Sequence, residues 1–322
     1  MTMPMTSMKV APQELKADGG ELFSAEFLAL AANTIHQAIK TDGFFILENA
    51  LSVPAIEAIL EDVDNHGFAI NRNWAHGVYA EHQYYLTHML ACSRAFTRLA
   101  THPKLFEICD GILGHDYRLK AMRYYETYGK HHMQWHTDNK TDRGFAHIPG
   151  LIFIVYLADV DDGEFQYVRA SHNWSGERAY SDYGDEEIEK NHGKDIVSFK
   201  APRGTVIIYD TYGIHRARPV ASRTFVRKSL FFQVDSKMDS AEPILLNPAY
   251  IDSIDAKTAQ YLGFGLPAEY KVFPNTTIKN LQWGRVGLRM VSQWLAYRMA
   301  RSLFDIMPHN IKKIIKARAR RT

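Results

Sequence analysis

With 322 residues, 46% of them apolar and 23% charged, the chain has the make-up of a globular protein able to bury a substantial core. A formal charge of +2 is too small for a general nucleic-acid binder, and no stretch nears the ~18 uninterrupted apolar residues of a membrane-crossing helix. Only Cys92 and Cys109 are present, and the amino terminus has no basic-then-apolar leader pattern; a reducing cytoplasm is the expected location.

Residues 1–20 are polar and aperiodic and read as a loose arm. Ser24 is placed to cap one helix carrying Phe27, Leu28, Ala31, Ile35 and Ile39, which Asp42-Gly43 breaks. Phe44 to Leu47 is a short apolar strand, and Ser52-Val53-Pro54 opens a second helix through Ile56, Ile59, Leu60 and Val63. Residues 67–85 show no clean period and read as a loop over the core. Residues 86–112 read as helical, with a break at His102-Pro103.

Strands are expected from Tyr117 onward. Gly150 to Leu157 is a continuous apolar run, Asp161-Asp162-Gly163 a turn, and Glu164 to Arg169 an alternating strand. Residues 175–195 are polar and read as a surface excursion. Pro202-Arg203-Gly204 turns into a strand ending at Asp210, and a final strand from Thr224 to Val234 sets Arg227, Ser229, Phe231 and Gln233 on one face. Helices followed by many short strands point to helices packed on an antiparallel barrel or jelly roll.

The densest chemistry lies between Arg123 and Asp138, a run of aromatics and metal-capable groups closing in His136-Thr137-Asp138. In an extended strand residues two apart share a face, so His136 and Asp138 offer an imidazole and a carboxylate side by side. About one such His-x-Asp pair is expected by chance among 15 histidines, so the pair alone says little. A third ligand would complete the two-His, one-carboxylate set that holds non-haem Fe(II) with positions left open. His215 lies 77 residues beyond Asp138, just past a strand, and Arg227 lies 12 further on in the next. If those strands are antiparallel neighbours, Arg227 approaches the pocket that His215 borders, and its planar fork of donors suits a carboxylate. Arg223, nearer the turn, is the rival for that clamp.

Here the sequence resembles the phytanoyl-CoA dioxygenase family of Fe(II)/2-oxoglutarate oxygenases, over roughly residues 40–235. Gln134-Trp135-His136-Thr137-Asp138 is similar to the family's Trp-His-x-Asp strand. The segment from Gly163 to Gly176 resembles its Gly…Pro-Gly-Ser-His stretch, with Arg169-Ala170 in place of Pro-Gly before Ser171-His172. Gly204 to Asp210 followed by His215, then Arg227-Lys228-Ser229, resembles the distal-histidine strand and the arginine that grips 2-oxoglutarate. Asp42 to Leu47 is similar to its amino-terminal strand.

The resemblance implies a mainly β fold with flanking helices, a double-stranded β-helix (cupin-like jelly roll) with its site between two sheets. It implies that His136, Asp138 and His215 bind Fe(II), and that Arg227 holds the co-substrate 2-oxoglutarate. Gln134 and Arg123, on the approach strand, and Ser229 are the further candidate contacts. O2 is the other co-substrate. Some relatives replace the carboxylate to make room for halide; Asp138 is retained, which favours hydroxylation of a small or carrier-bound metabolite, with succinate and CO2 released. Desaturation or epoxidation by the same cofactors, a cupin-type isomerase without 2-oxoglutarate, and a non-catalytic β-helix binding protein are the alternatives. His131 and His132 are expected on the pocket wall or surface, Ser171 and His172 in a loop they order, and Trp135 in packing.

The expected organisation is an arm at 1–20, the oxygenase domain at 21–284 and a basic helical extension at 285–322. From Arg285 onward ten Lys or Arg stand against the single acid Asp305, a local charge of +9, which leaves −7 on the preceding residues. Val291, Leu295, Met299, Leu303 and Ile306 form a helical apolar arc, expected to pack on the acidic body, with Met307-Pro308 ending the helix. The other reading of this extension is contact with an anionic membrane surface or an acidic carrier.

Overall fold

The computed structural model describes residues 21–66, 70–71, 74–75, 77–80, 83–127, 129, 133–139, 148–174, 183–222, 226–236, 241, 243–251, 254–268, 285–308 and 311–312. The arm at 1–20, His131, His132, Arg223 and most of the basic end therefore lie outside the described residues.

The first half is helical. α1 (Ala25–Ala29) begins at Ser24, whose hydroxyl accepts from the Phe27 amide at 3.2 Å. The single helix expected here is two: Leu30 and Ala31 are extended, and α2 (Ala32–Asp42) starts afresh. The freed Leu30 carbonyl accepts from the Lys104 ammonium at 2.5 Å, a partner seventy-four residues away that no local pattern announces. Gly43 ends α2 at φ 89°, where a Cβ would strike the Tyr167 hydroxyl. β1 (Phe44–Leu47) and α3 (Val53–His66) follow as expected, with Ser52 Oγ accepting from the Ala55 amide.

Where a loop was expected, the chain forms β2 (Ile70–Asn71), β3 (Trp74–Ala75), β4 (Gly77–Ala80) and β5 (Gln83–Leu86). Strands this short carry too few residues to display a period of two. The helical stretch after them is three pieces, α4 (Met89–Cys92), α5 (Arg94–Ala100) and α6 (Pro103–Leu113). Ser93 breaks it by capping α5 at the Phe96 amide, and His102 caps α6, with Pro103 at its first turn.

The strand-rich half comprises β6 (Arg118–Thr127), β7 (Gly150–Tyr156), β8 (Val160–Val168), α7 (Asp185–His192), β9 (Ile196–Ala201), β10 (Val206–Asp210), β11 (His215–Ala217) and β12 (Arg227–Asp235). The turn expected at residues 161–163 is an irregularity inside β8, with Gly163 at φ 62° and the register to β9 shifting between Val160 and Phe165. β9 was not foreseen; its Val-Ser-Phe-Lys alternation is brief. α8 (Ala256–Tyr261) and α9 (Arg285–Ile306) close the described chain, α9 stopping just before Met307-Pro308.

Among the described strands, seven form one antiparallel sheet in the order β1-β10-β7-β12-β6-β5-β4, and a smaller sheet runs β11-β8-β9. Alternation along the large sheet splits its side chains. Leu151, Phe153, Val155, Val206, Ile208, Leu230 and Phe232 face the helices and join Phe27, Ile35, Ile56, Phe96 and Ile108 in one core. Ile152, Tyr156, Ile207 and Tyr209 face the other way and pack with Phe165, Tyr167 and Phe199 of the small sheet. Burying both faces of β7 and β10 explains why they read as continuous apolar runs rather than as alternations. The arc of α9 expected to pack on the body instead lies open: Leu295, Met299, Leu303 and Ile306 are all exposed.

Candidate metal centre

His136 and His215 are cross-strand partners. The His136 amide donates to the His215 carbonyl at 3.0 Å and the His215 amide to that of His136 at 2.9 Å. Residues exchanging both bonds point their side chains to one face of the ribbon, and the two rings lie 4.3 Å apart. Asp138, two residues on, comes to the same face, its amide bonded to the Thr211 carbonyl at 3.0 Å. One ligand atom from each of the three residues lies within 4.8 Å of the others.

The second nitrogen of each ring sets the tautomer. Nδ1 of His136 lies 2.7 Å from the Gln134 carbonyl and Nδ1 of His215 lies 2.9 Å from that of Gly213. A carbonyl only accepts, so both Nδ1 atoms carry a proton and both Nε2 atoms point inward. Burial, reinforced by His215, pushes the His136 pKa down to about 4, so its ring stays neutral and able to ligate. Burial works against the Asp138 charge, but His215, His136 and the Tyr209 hydroxyl outweigh it and hold the carboxyl below its usual range. Asp138 Oδ2 stands 3.2 Å from His215 Nε2 and 3.3 Å from that hydroxyl. Two imidazole nitrogens and one carboxylate suit a divalent first-row transition metal better than Mg²⁺ or Ca²⁺, which prefer all-oxygen shells.

Arg227 reaches the same cavity, though not by the route expected. β11 and β12 are not hairpin neighbours: β11 pairs with β8 in the small sheet, and β12 lies between β6 and β7 in the large one. Arg227 and His215 face one another across the space between the sheets. That space holds a cavity of about 180 Å³ bordered by the three potential ligands, Arg227, Ser229 and the apolar walls Ile154, Phe165 and Phe231. The buried Arg227 guanidinium donates to the Gly163 carbonyl and, at 3.4 Å, to Thr127 Oγ1, while its Nε has no partner. Among the described residues no acidic side chain pairs with it. Burial lowers its pKa, with the nearby Tyr156 and Glu164 opposing, and a buried cation lacking a carboxylate is a seat for an anionic ligand.

Gln134 is exposed and outside the cavity lining; its carbonyl, not its amide, serves the site. Ser171 orders its loop by accepting from the Ile214 amide at 2.8 Å, one residue before the metal-capable His215. Trp135 is fully buried on the opposite side of the ribbon, 4.3 Å beneath the Arg216 guanidinium, which Asp185 and Glu189 of α7 hold at 3.0 and 3.2 Å. Sequence reasoning missed Tyr209, although the alternation Ile207, Tyr209 along β10 places it inward. It also missed the buried network behind the site. Asn139 Nδ2 donates to Thr211 Oγ1 at 2.8 Å and Asp235 Oδ1 at 3.3 Å, and Asp235 takes the Lys120 ammonium at 2.8 Å. That network ties the residue after Asp138 to the end of β12, a pairing no local pattern displays.

The model of the Phytanoyl-CoA dioxygenase (PhyH) family matches residues 39–229. Among curated proteins, none matches the chain by sequence. Among solved structures, HygX from Streptomyces hygroscopicus, crystallised with nickel and 2-oxoglutarate, aligns with a TM-score of 0.50 at 16% identity over 64% of this chain and 87% of its own. SnoK, a non-heme alpha ketoglutarate dependent carbocyclase from nogalamycin biosynthesis, aligns with a TM-score of 0.50 at 16% identity over 67% and 87%. At such identity these likenesses speak for the fold. The family match spans more than half of the chain and contains all three potential metal ligands and Arg227: the chain belongs to the phytanoyl-CoA dioxygenase family of oxygenases.

Proposed function

We propose that this protein is an Fe(II)- and 2-oxoglutarate-dependent hydroxylase of a small or carrier-bound metabolite, with His136, Asp138 and His215 as the iron ligands. The observation that carries the reading is the meeting, in one cavity, of that donor set with a buried Arg227 that no acidic side chain among the described residues pairs with. Iron and 2-oxoglutarate, when bound, supply O2-driven oxidation of an unactivated C–H bond coupled to decarboxylation. The chain's own groups do the positioning. The Gln134 and Gly213 carbonyls keep both imidazoles in the ligating tautomer. Tyr209 donates to Asp138 and fixes the rotation of its carboxylate. Arg227 pairs with the distal carboxylate of 2-oxoglutarate, Ser229 adds a hydroxyl contact, and Ile154, Phe165 and Phe231 keep water from the reacting bond.

The facing sheets are read as those of a double-stranded β-helix, residues 21–284 as the catalytic unit and 285–322 as an extension. Cys92 and Cys109 are both free thiols, which supports a reducing, cytoplasmic setting. The carbocyclase SnoK makes the product mass the decisive readout of reaction type.

Anaerobic reconstitution with Fe(II), followed by a substrate-library assay for succinate, tests the reading. The expected result is one iron per chain and a product heavier by one oxygen. His215→Ala should lose most iron and all succinate formation while its circular dichroism is unchanged. Wild-type iron content and intact turnover in that variant would sink the assignment.

A further inference from the structure

The carboxyl-terminal helix turns apolar side chains away from the body. Leu288 is 55% exposed, Leu295 47%, Met299 65% and Ile306 79%. At about 100° per residue these four fall within roughly 40° of one another around α9, a narrow stripe along its whole length. Trp294 and Phe304 lie away from the stripe and are half-buried. A contiguous exposed stripe of this kind marks a surface that meets something.

Charge decides what. Residues 285–322 carry +9, so a second copy of the helix would bring like charge against like charge. Arg298, about 80° round from the stripe, is exposed and lies 5.9 Å over the Trp294 ring; Arg301 is farther round and pairs with Asp305 at 3.2 Å, and Lys312 lies past the helix end, 5.9 Å over Phe304. Among the described residues no helix is long and apolar enough to cross a membrane. Exposed apolar residues on one line of a net basic segment suit a helix resting on an anionic bilayer interface. We propose that α9 docks the protein on an anionic lipid surface, with Leu288, Leu295, Met299 and Ile306 entering the boundary between headgroups and acyl chains. This stands apart from the reaction assigned to the cavity, and its test uses no turnover.

Full-length protein is floated with vesicles of phosphatidylcholine alone or of phosphatidylcholine mixed with phosphatidylglycerol, at low and high salt. Association is expected with the anionic vesicles only, weakened by salt, each basic residue at the surface contributing about fivefold in affinity. Leu295→Ser combined with Met299→Ser should weaken it by on the order of tenfold or more at unchanged charge. Both side chains are exposed, so folding is untouched and thermal melting serves as the control. Ile306→Ser, at the far end of the stripe, gives an independent reading in the same direction. Absence of binding to anionic vesicles at low salt overturns the proposal, as does binding that both apolar variants leave unchanged. Self-association in sedimentation velocity that the double variant abolishes, without vesicle binding, would make the stripe a contact between copies and overturn it equally.

Discussion

The site depends on individual groups held in states they would not keep in water. Arg227 is the sharpest case, since a buried guanidinium with no carboxylate partner among the described residues costs stability until an anion arrives. Arg227→Leu should therefore raise the apparent 2-oxoglutarate requirement while leaving that for the substrate nearly unchanged. A charge-assisted bidentate pair of about 2–3 kcal/mol corresponds to roughly 30- to 150-fold in affinity. Arg223→Leu is the control, and a larger loss there would move the clamp to that residue. Ala170 is a second departure from ordinary behaviour. It stands where the family pattern has glycine and adopts φ 57°, a left-handed conformation that costs a residue with a Cβ. Its amide is bound to the Asp42 carbonyl at 2.8 Å, so the backbone is held in place. Ala170→Gly should raise the unfolding free energy by about 0.5–1 kcal/mol in denaturant melts, relief of strain exceeding the added freedom of the unfolded chain.

At the scale of elements, the short ribbon of His136 and His215 is too small to hold itself and is gripped from behind. Trp135 fills the core under Arg216, and α7 supplies the acids that keep Arg216 there. On the helical side α8 is pinned to α6 by Asp110, which accepts from the Lys257 ammonium and from the Tyr117 hydroxyl at 2.9 Å. Slight burial raises the Asp110 pKa, but these hydrogen bonds and the lysine charge bring it below the usual carboxylate range. A carboxyl whose pKa is lower folded than unfolded stabilises the fold above the unfolded value, and that contribution is lost as pH falls through the folded one. Wild type should thus exceed Asp110→Asn in stability at neutral pH, with the gap closing only in acid below about pH 4. Equal stability of the two across the range, followed by chemical denaturation, would mean that the solvent-facing Lys257 contributes nothing.

Across the whole molecule, one sheet serves two purposes. Its outer face is sealed by helices α1 to α6, and its inner face, set against the small sheet, carries Tyr209, Arg227 and Ser229 toward the cavity. The division follows from a side-chain period of two on strands buried on both sides. Basic charge gathers at the carboxyl terminus while the remainder is net acidic, so the terminal helix and the reaction cavity draw on different parts of the chain.

The sequence alone determined what is local. Residue type and spacing, with the family resemblance, nominated His136, Asp138 and His215, and Arg227 with Arg223 as its rival, because a metal and a carboxylate each demand particular donors. Ser24, Gly43, Ser52 and Pro103 marked helix ends, because caps and breakers act within a turn of themselves. Tertiary structure decided the rest. That Arg227 meets His215 across two sheets, rather than along a hairpin, depends on pairings between strands far apart in the chain. β4 and β5 join the large sheet only where β5 finds the edge of β6, and β2 and β3 pair with each other. The ties from Lys120 to Asp235 and from Lys104 to Leu30 likewise join distant residues, and the exposure of the α9 stripe depends on which face the body covers. Such contacts form where separate segments bury a common surface, and a local pattern carries no record of the partner it will meet.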